Sequence, residues 1–168
     1  MKSEFLPVVD ENDKVVGKVP RAECHKKGLL HRAVHIFILN SRGDLLLQKR
    51  SKELDLYPGF FTSSASGYVE YGETYMGAAK KELSEELGVD IKLELFGKYR
   101  VASVENKRFI SLFVGKSDGS FAPDKKEVEF VKFYPISEIK RLIKKEKFSP
   151  NFKACFENFV KGNKGVPQ

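Results

Sequence analysis

Long apolar runs are missing from this chain of 168 residues. The longest, Ala33 to Leu39, is broken by His35 and is far too short to cross a bilayer, which excludes a helical membrane span. The first residues, Met1-Lys2-Ser3-Glu4-Phe5, lack the apolar region of a secretory signal and soon turn acidic, so a cytoplasmic protein is expected. Cysteine is scarce: Cys24 and Cys155 stand far apart, without the paired spacing of a metal site. That excludes a disulfide scaffold and a cysteine-zinc site, leaving two reduced thiols as the expectation. No Pro/Gly/Ser linker divides the chain, and no internal repeat or low-complexity tract runs through it. One domain over 1–168 is expected, long enough to bury a core of its own.

What is present is an ordinary soluble composition with a basic balance. Apolar residues make up 41% and charged residues 32%, which argues against disorder. The formal net charge is +7. Such a field attracts phosphates, nucleotides or nucleic acid without choosing among them.

The pattern of elements points to an α+β fold. Phe5 to Val9 and Lys14 to Val19 flank Asp10-Glu11-Asn12-Asp13 and read as a hairpin over 5–19. Arg32 to Leu39 reads as a central strand, and Leu45 to Arg50 as a second beyond the turn residues Asn40 to Asp44. Phe60 to Ser66 is short, β-prone and rich in hydroxyls. Thr74 to Leu87 is the best helix, with Thr74 to cap it, Gly88 to end it, and Met76, Ala79, Leu83 and Leu87 on one face. Ile91 to Val104, Arg108 to Lys116 and Val128 to Tyr134 read as strands. Ser137 to Lys145 and Asn151 to Val160 read as closing helices within 137–161, and the residues from Gly162 on as frayed. Strands outnumber helices, which predicts a mixed sheet with helices on its faces.

The helix over 74–87 carries the chemistry. At about 100° per residue, Glu82, Glu85 and Glu86 fall within an arc of about 100° beside the apolar stripe through Leu83. Carboxylates this close repel one another, and a hard cation such as Mg²⁺ or Mn²⁺ among them relieves the repulsion. On spacing alone, a solvated acidic face is the slightly better account. Lys81 stands four residues before Glu85 and is placed to brace it. Gly67 and Gly72 permit a tight loop ahead of the helix.

The full string from Gly67 to Val89 resembles the Nudix box, G-x5-E-x7-R-E-U-x-E-E-x-G-U with U apolar. Gly67, Glu73, Glu82, Leu83, Glu85, Glu86, Gly88 and Val89 match in register, and Lys81 replaces the family's arginine. The surrounding order of elements also resembles that family's α/β/α sandwich. The resemblance implies Glu73, Glu82, Glu85 and Glu86 as the catalytic set. Glu82 and Glu86 would be the main metal ligands, Glu85 an additional one, and the Gly67 carbonyl would complete the sphere. Glu73 would stabilise the loop–helix geometry or touch the metal shell. Lysine at 81 lacks the planar fork of arginine, which alters the fine geometry. The implied chemistry is metal-assisted hydrolysis of a small-molecule diphosphate, a nucleoside diphosphate or another X-linked one. Glu82, Glu127 and Glu129 are all candidates for the base.

Outside the box the chain resembles the branch that includes type 1 isopentenyl-diphosphate isomerase. The likeness rests on Gly28-Leu-Leu-His31-Arg-Ala-Val-His35, the segment Asn40 to Arg50, and Tyr57-Pro-Gly59. That isomerase has a catalytic cysteine directly before the box glycine and a metal-binding histidine directly after it. Here those places hold Ser66 and Tyr68, and Asn106 and Arg108 stand where the isomerase has later glutamates. His25 and His31 keep the isomerase-like spacing and are candidates to retain a metal. The alternatives to hydrolysis are an isomerase-like enzyme, or a non-catalytic module holding nucleotide or RNA. Lys49 and Arg50 are candidates for a substrate phosphate, and strand alternation lets only one face the cleft. Tyr68 and Tyr71 are candidates to stack on a base, whereas core packing is the expectation for Phe60 and Phe61.

Overall fold

The structure is a computed structural model that describes residues 4–102 and 107–162. It opens with the hairpin of β1 (Phe5–Val9) and β2 (Val15–Pro20) and a short helix, α1 (Arg21–Lys26). The strands β3 (His31–Leu39), β4 (Leu45–Arg50), β5 (Phe61–Thr62) and β6 (Ala65–Tyr68) precede the long helix α2 (Tyr75–Leu87). Then come β7 (Leu93–Ala102), β8 (Lys107–Lys116) and β9 (Val128–Tyr134), followed by α3 (Ile136–Leu142) and α4 (Pro150–Gly162).

Seven strands form one sheet in the order β5-β4-β3-β8-β7, with β6 also on β3 and β9 also on β4. The β3–β8 pair is parallel and the other pairs are antiparallel, so the sheet is mixed. β3 is buried on both faces, which is why it reads as a nearly unbroken apolar run. Its Ala33 and Phe37 join a cluster with Ile139 of α3 and Phe152, Cys155, Phe156 and Phe159 of α4. Val34, Ile36 and Ile38 face the other way, against Ala78, Ala79, Leu83 and Leu87 of α2. The result is an α/β/α sandwich. Among the described residues no helix is long and apolar enough to cross a membrane.

β3 and β4 pair only at Leu39 and Leu45 and then part. The Ser64 hydroxyl spans the gap, accepting the Ile38 N–H (2.9 Å) and donating to the Leu46 carbonyl (2.6 Å). The hydroxyl-rich stretch is therefore two short strands separated by Ser63 and Ser64, with one hydroxyl serving as a cross-brace.

Several expectations need adjustment. α1 has no counterpart in the sequence reading, because a helix of under two turns leaves little periodic signal. Met76 is 38% exposed, and the buried face of α2 runs instead through Ala78, Ala79, Leu83, Glu86 and Leu87. The helix predicted to Lys145 ends at Leu142, and the strand predicted from Ile91 starts at Leu93. The end of that strand prediction at Val104, the Asn106 assignment and the tail beyond Gly162 lie outside the described residues.

Candidate metal and diphosphate site

The end caps of α2 are those the sequence implies. The Thr74 hydroxyl accepts the Gly77 N–H (3.0 Å), and Gly88 closes the helix in the left-handed conformation at φ 65°. That register turns Glu82, Glu85 and Glu86 toward a cavity of about 290 Å³. The cavity opens where β3 and β4 separate, with lining from β3, β4, β6, β8 and α2.

Glu86 is 4% exposed, and each of its oxygens accepts one hydrogen bond. Its Oε1 accepts from Gln48 Nε2 (3.0 Å) and its Oε2 from the Ser66 N–H (3.0 Å). Glu82 lies against Gly67, where a Cβ would overlap its carboxyl group. The box glycine is therefore required for close approach, since any side chain there would displace Glu82. Burial pushes the Glu82 carboxyl well above its ordinary range, and Glu86 and Glu85 push it further. Burial raises Glu86 too, against the opposing hydrogen bonds from Gln48 and Ser66. Half-buried Glu82, buried Glu86 and exposed Glu85 form a hard-oxygen set that a divalent cation would neutralise. Among the described residues no three His, Cys, Asp or Glu side chains already converge on a single point.

Glu127 reaches the same cavity from another element. The Ala122 N–H donates to the Leu87 carbonyl (2.8 Å) and the Asp124 N–H to the Glu86 carbonyl (3.0 Å), docking this loop on the end of α2. Burial, Asp124 and Glu85 raise the Glu127 carboxyl. Glu129 is exposed and does not line the cavity.

Lys81 does not brace Glu85. Its ammonium donates to Glu73 Oε1 at 2.8 Å and lies 3.3 Å from Glu70 Oε1. Glu73 Oε2 accepts the Glu70 N–H (2.8 Å), so Glu73 and Lys81 lock the loop onto the helix, and Glu73 does not line the cavity. The long lysine reaches the loop because that loop folds back over the first turns of α2.

Strand alternation separates Lys49 from Arg50. Arg50 lines the cavity and donates through Nε and Nη2 to the Leu56 carbonyl (3.1 and 2.8 Å). Lys49 points the other way, its ammonium 4.3 Å from the Phe61 ring centroid, and does not line the cavity. Tyr68 lines it. Phe61 is core, stacked on Phe148, while Phe60 packs on Tyr57. Tyr71 is exposed beneath Lys18.

Sequence reasoning passed over Gln48 and His35. A lone glutamine in an apolar strand has no signature until its partner, Glu86, is known. His35 lines the cavity and pairs through Nδ1 with the Ser63 hydroxyl (2.6 Å). Burial, aided by Arg108 and Arg50, holds its imidazole down at about 3, so it is neutral.

The sandwich carries a glutamate-bearing helix against a glycine loop where two strands part. Residues 29–156 match the family model described as NUDIX domain, and the chain belongs to the Nudix hydrolase family. An uncharacterised Nudix hydrolase of Pseudomonas aeruginosa is 34% identical over 78% of this chain and 78% of its own length. Isopentenyl-diphosphate Delta-isomerase 2 of Photorhabdus laumondii is 32% identical over 83% of this chain and 82% of its own. The crystal structure of DR0079 from Deinococcus radiodurans superposes with a TM-score of 0.80 at 24% identity, covering 92% of this chain and 98% of that one.

Proposed function

We propose that the protein is a Mg²⁺- or Mn²⁺-dependent hydrolase of an X-linked diphosphate. The observation that carries this reading is the pair of half-buried Glu82 and buried Glu86, side by side at the cavity and both held above the ordinary carboxylate range. Glu82 and Glu86, with Glu85 and the Gly67 carbonyl, would hold the ion. When bound, it offsets diphosphate charge and acidifies a water. Gln48 and the Ser66 N–H fix the Glu86 carboxylate through both oxygens. Lys81 and Glu73 keep the loop in the shape that lets Gly67 meet Glu82. Glu127 faces the cavity with a raised carboxyl and takes the proton of the attacking water. The water oxygen bonds to phosphorus, the anhydride P–O bond breaks, and two phosphate products leave. Arg50 stands at the cavity to steady a phosphate oxygen.

The isomerase reading lacks its groups: Ser66, Tyr68 and Arg108 occupy the positions of the branch's cysteine, histidine and a glutamate. The non-catalytic reading leaves the intact acidic set without a purpose. The deciding experiment is turnover of a panel of nucleoside and other X-linked diphosphates with Mg²⁺ and Mn²⁺. Phosphate or monophosphate release that falls by orders of magnitude in Glu86→Gln supports the reading. Full turnover in Glu86→Gln, or double-bond isomerisation by the unmodified protein, overturns it.

A further inference from the structure

Charges of both signs line the cavity. Glu82, Glu85, Glu86 and Glu127 line it together with Arg50, and Arg21 of α1 and Arg108 of β8 line it around Tyr68. Tyr68 joins the two arginines: the Arg21 guanidinium carbon is 4.4 Å from its ring centroid and that of Arg108 is 5.6 Å away. Arg108 is 5% exposed, so its charge sits in a largely water-free wall. Arg21 pairs with Glu4 (3.1 Å), which lines the same cavity.

His25 and His31 pack against the same ring, with centroids 5.4 and 5.7 Å from it. The His31 Nδ1–H donates to the Leu29 carbonyl (2.9 Å), leaving Nε2 buried without a hydrogen-bond partner among the described residues, as is His25 Nε2. Burial lowers both imidazoles, and both arginines lower them further, His31 to about 4. The surroundings do not fit a cation at the two histidines. Two guanidinium charges stand beside them, and both lower the imidazoles, where a carboxylate would raise them.

The same field suits an anion. A guanidinium offers a planar fork to phosphate or carboxylate oxygens and is weakly hydrated for a cation, so it binds well from a buried wall. Arginines and imidazoles crowd the Tyr68 ring, which makes it a floor for these groups rather than a platform for a base. We propose that Arg21 and Arg108, seated on Tyr68, form an oxyanion subsite for a second acidic group of the substrate, a phosphate or carboxylate carried on X. The role in turnover rests on the hydrolase reading, whereas anion binding itself does not.

Thermal-shift titrations in metal-free buffer test the binding, with inorganic phosphate and succinate as probes. At least one anion stabilises the unmodified protein and Glu86→Gln, and its midpoint weakens about tenfold in Arg108→Gln and Arg21→Gln. Both arginine variants keep the Mg²⁺ shift, which Glu86→Gln loses. Arg21 has a 44% exposed side chain, so Arg21→Gln serves even if Arg108→Gln fails to fold. The stronger probe identifies the preferred acidic group. In turnover, the ratio of KM for an X-linked diphosphate with a remote acidic group to KM for its neutral counterpart rises about tenfold in Arg21→Gln. No response to either anion, or midpoints unchanged in both arginine variants, overturns the subsite and leaves the hydrolase standing. Anion binding lost in Arg21→Gln without turnover of any diphosphate leaves the subsite standing and removes the hydrolase reading.

Discussion

The Glu82 carboxyl group lies directly against the Cα of Gly67, so the loop glycine and the helix glutamate occupy complementary space. The glycine leaves open the space that the carboxyl group fills, and a side chain at position 67 would take it.

Gly67→Ala should separate activity from stability. The added Cβ meets only the far end of a flexible side chain, so Glu82 can swing away and the fold holds to within about 1 kcal/mol. The displaced carboxylate no longer shares a site with Glu86. A melting curve near that of the unmodified protein, with the Mg²⁺ shift and turnover both strongly reduced, is expected. Unchanged Mg²⁺ response would mean that the close approach has no part in metal binding.

Lys81 acts on the loop through Glu73. Lys81→Arg should keep the contact, whereas Lys81→Glu should place three acids together at 70, 73 and 81 and cost about 1 kcal/mol. The reversed pair, Lys81→Glu with Glu73→Lys, should recover part of that loss, and chemical denaturation of the unmodified protein, Lys81→Glu, Glu73→Lys and the double variant measures the coupling. Independent, additive effects would show that Lys81 and Glu73 do not act as a pair.

Metal-free stability should fall as pH rises. The folded protein holds protons on Glu82 and Glu86 above the ordinary value of 4.5 because burial disfavours their charged forms. Their contribution is complete below that value and is lost as pH climbs through about 9, where Glu82 is half ionised. Asp13 runs the opposite way. Burial raises its carboxyl, but hydrogen bonds from Lys98, Arg32 and Tyr75 outweigh it, so its contribution is lost only as pH falls below 3.8. Melting temperatures in chelator across this range should therefore decline toward alkaline pH. The decline should be shallower in Glu86→Gln, and Mg²⁺ should restore the most stability at the alkaline end. An equal slope in both proteins would contradict the buried-carboxylate account.

Ser64→Ala removes the brace between the diverging strands. It strips the Ile38 N–H and the Leu46 carbonyl of a shared buried partner and should cost about 1–3 kcal/mol. Hydrogen exchange at Ile38 should accelerate more than at residues paired along β3 and β8. A change below about 0.5 kcal/mol would show that a neighbouring group replaces the hydroxyl.

Local chemistry in the sequence was enough to determine the helix that carries the site. Thr74 and Gly88 set its ends, the 3.6-residue period set Glu82 beside Glu86, and the box spacing set Gly67 ahead of them. Period-two alternation likewise restricted the cleft to one of Lys49 and Arg50, but which one depended on the face that met Phe61 and the α4 layer. Only the tertiary structure decided that Lys81 serves Glu73, because a fold-back loop competes with a partner one helical turn away. It alone brought Glu127 to the cavity, through a loop that satisfies the last carbonyls of α2, and set Arg21 and Arg108 on one tyrosine ring. Periodicity dictates which way a side chain leaves its own helix or strand. Which distant residue it meets is dictated by how the sheet closes, and here the parting of β3 from β4 determines what the cavity contains.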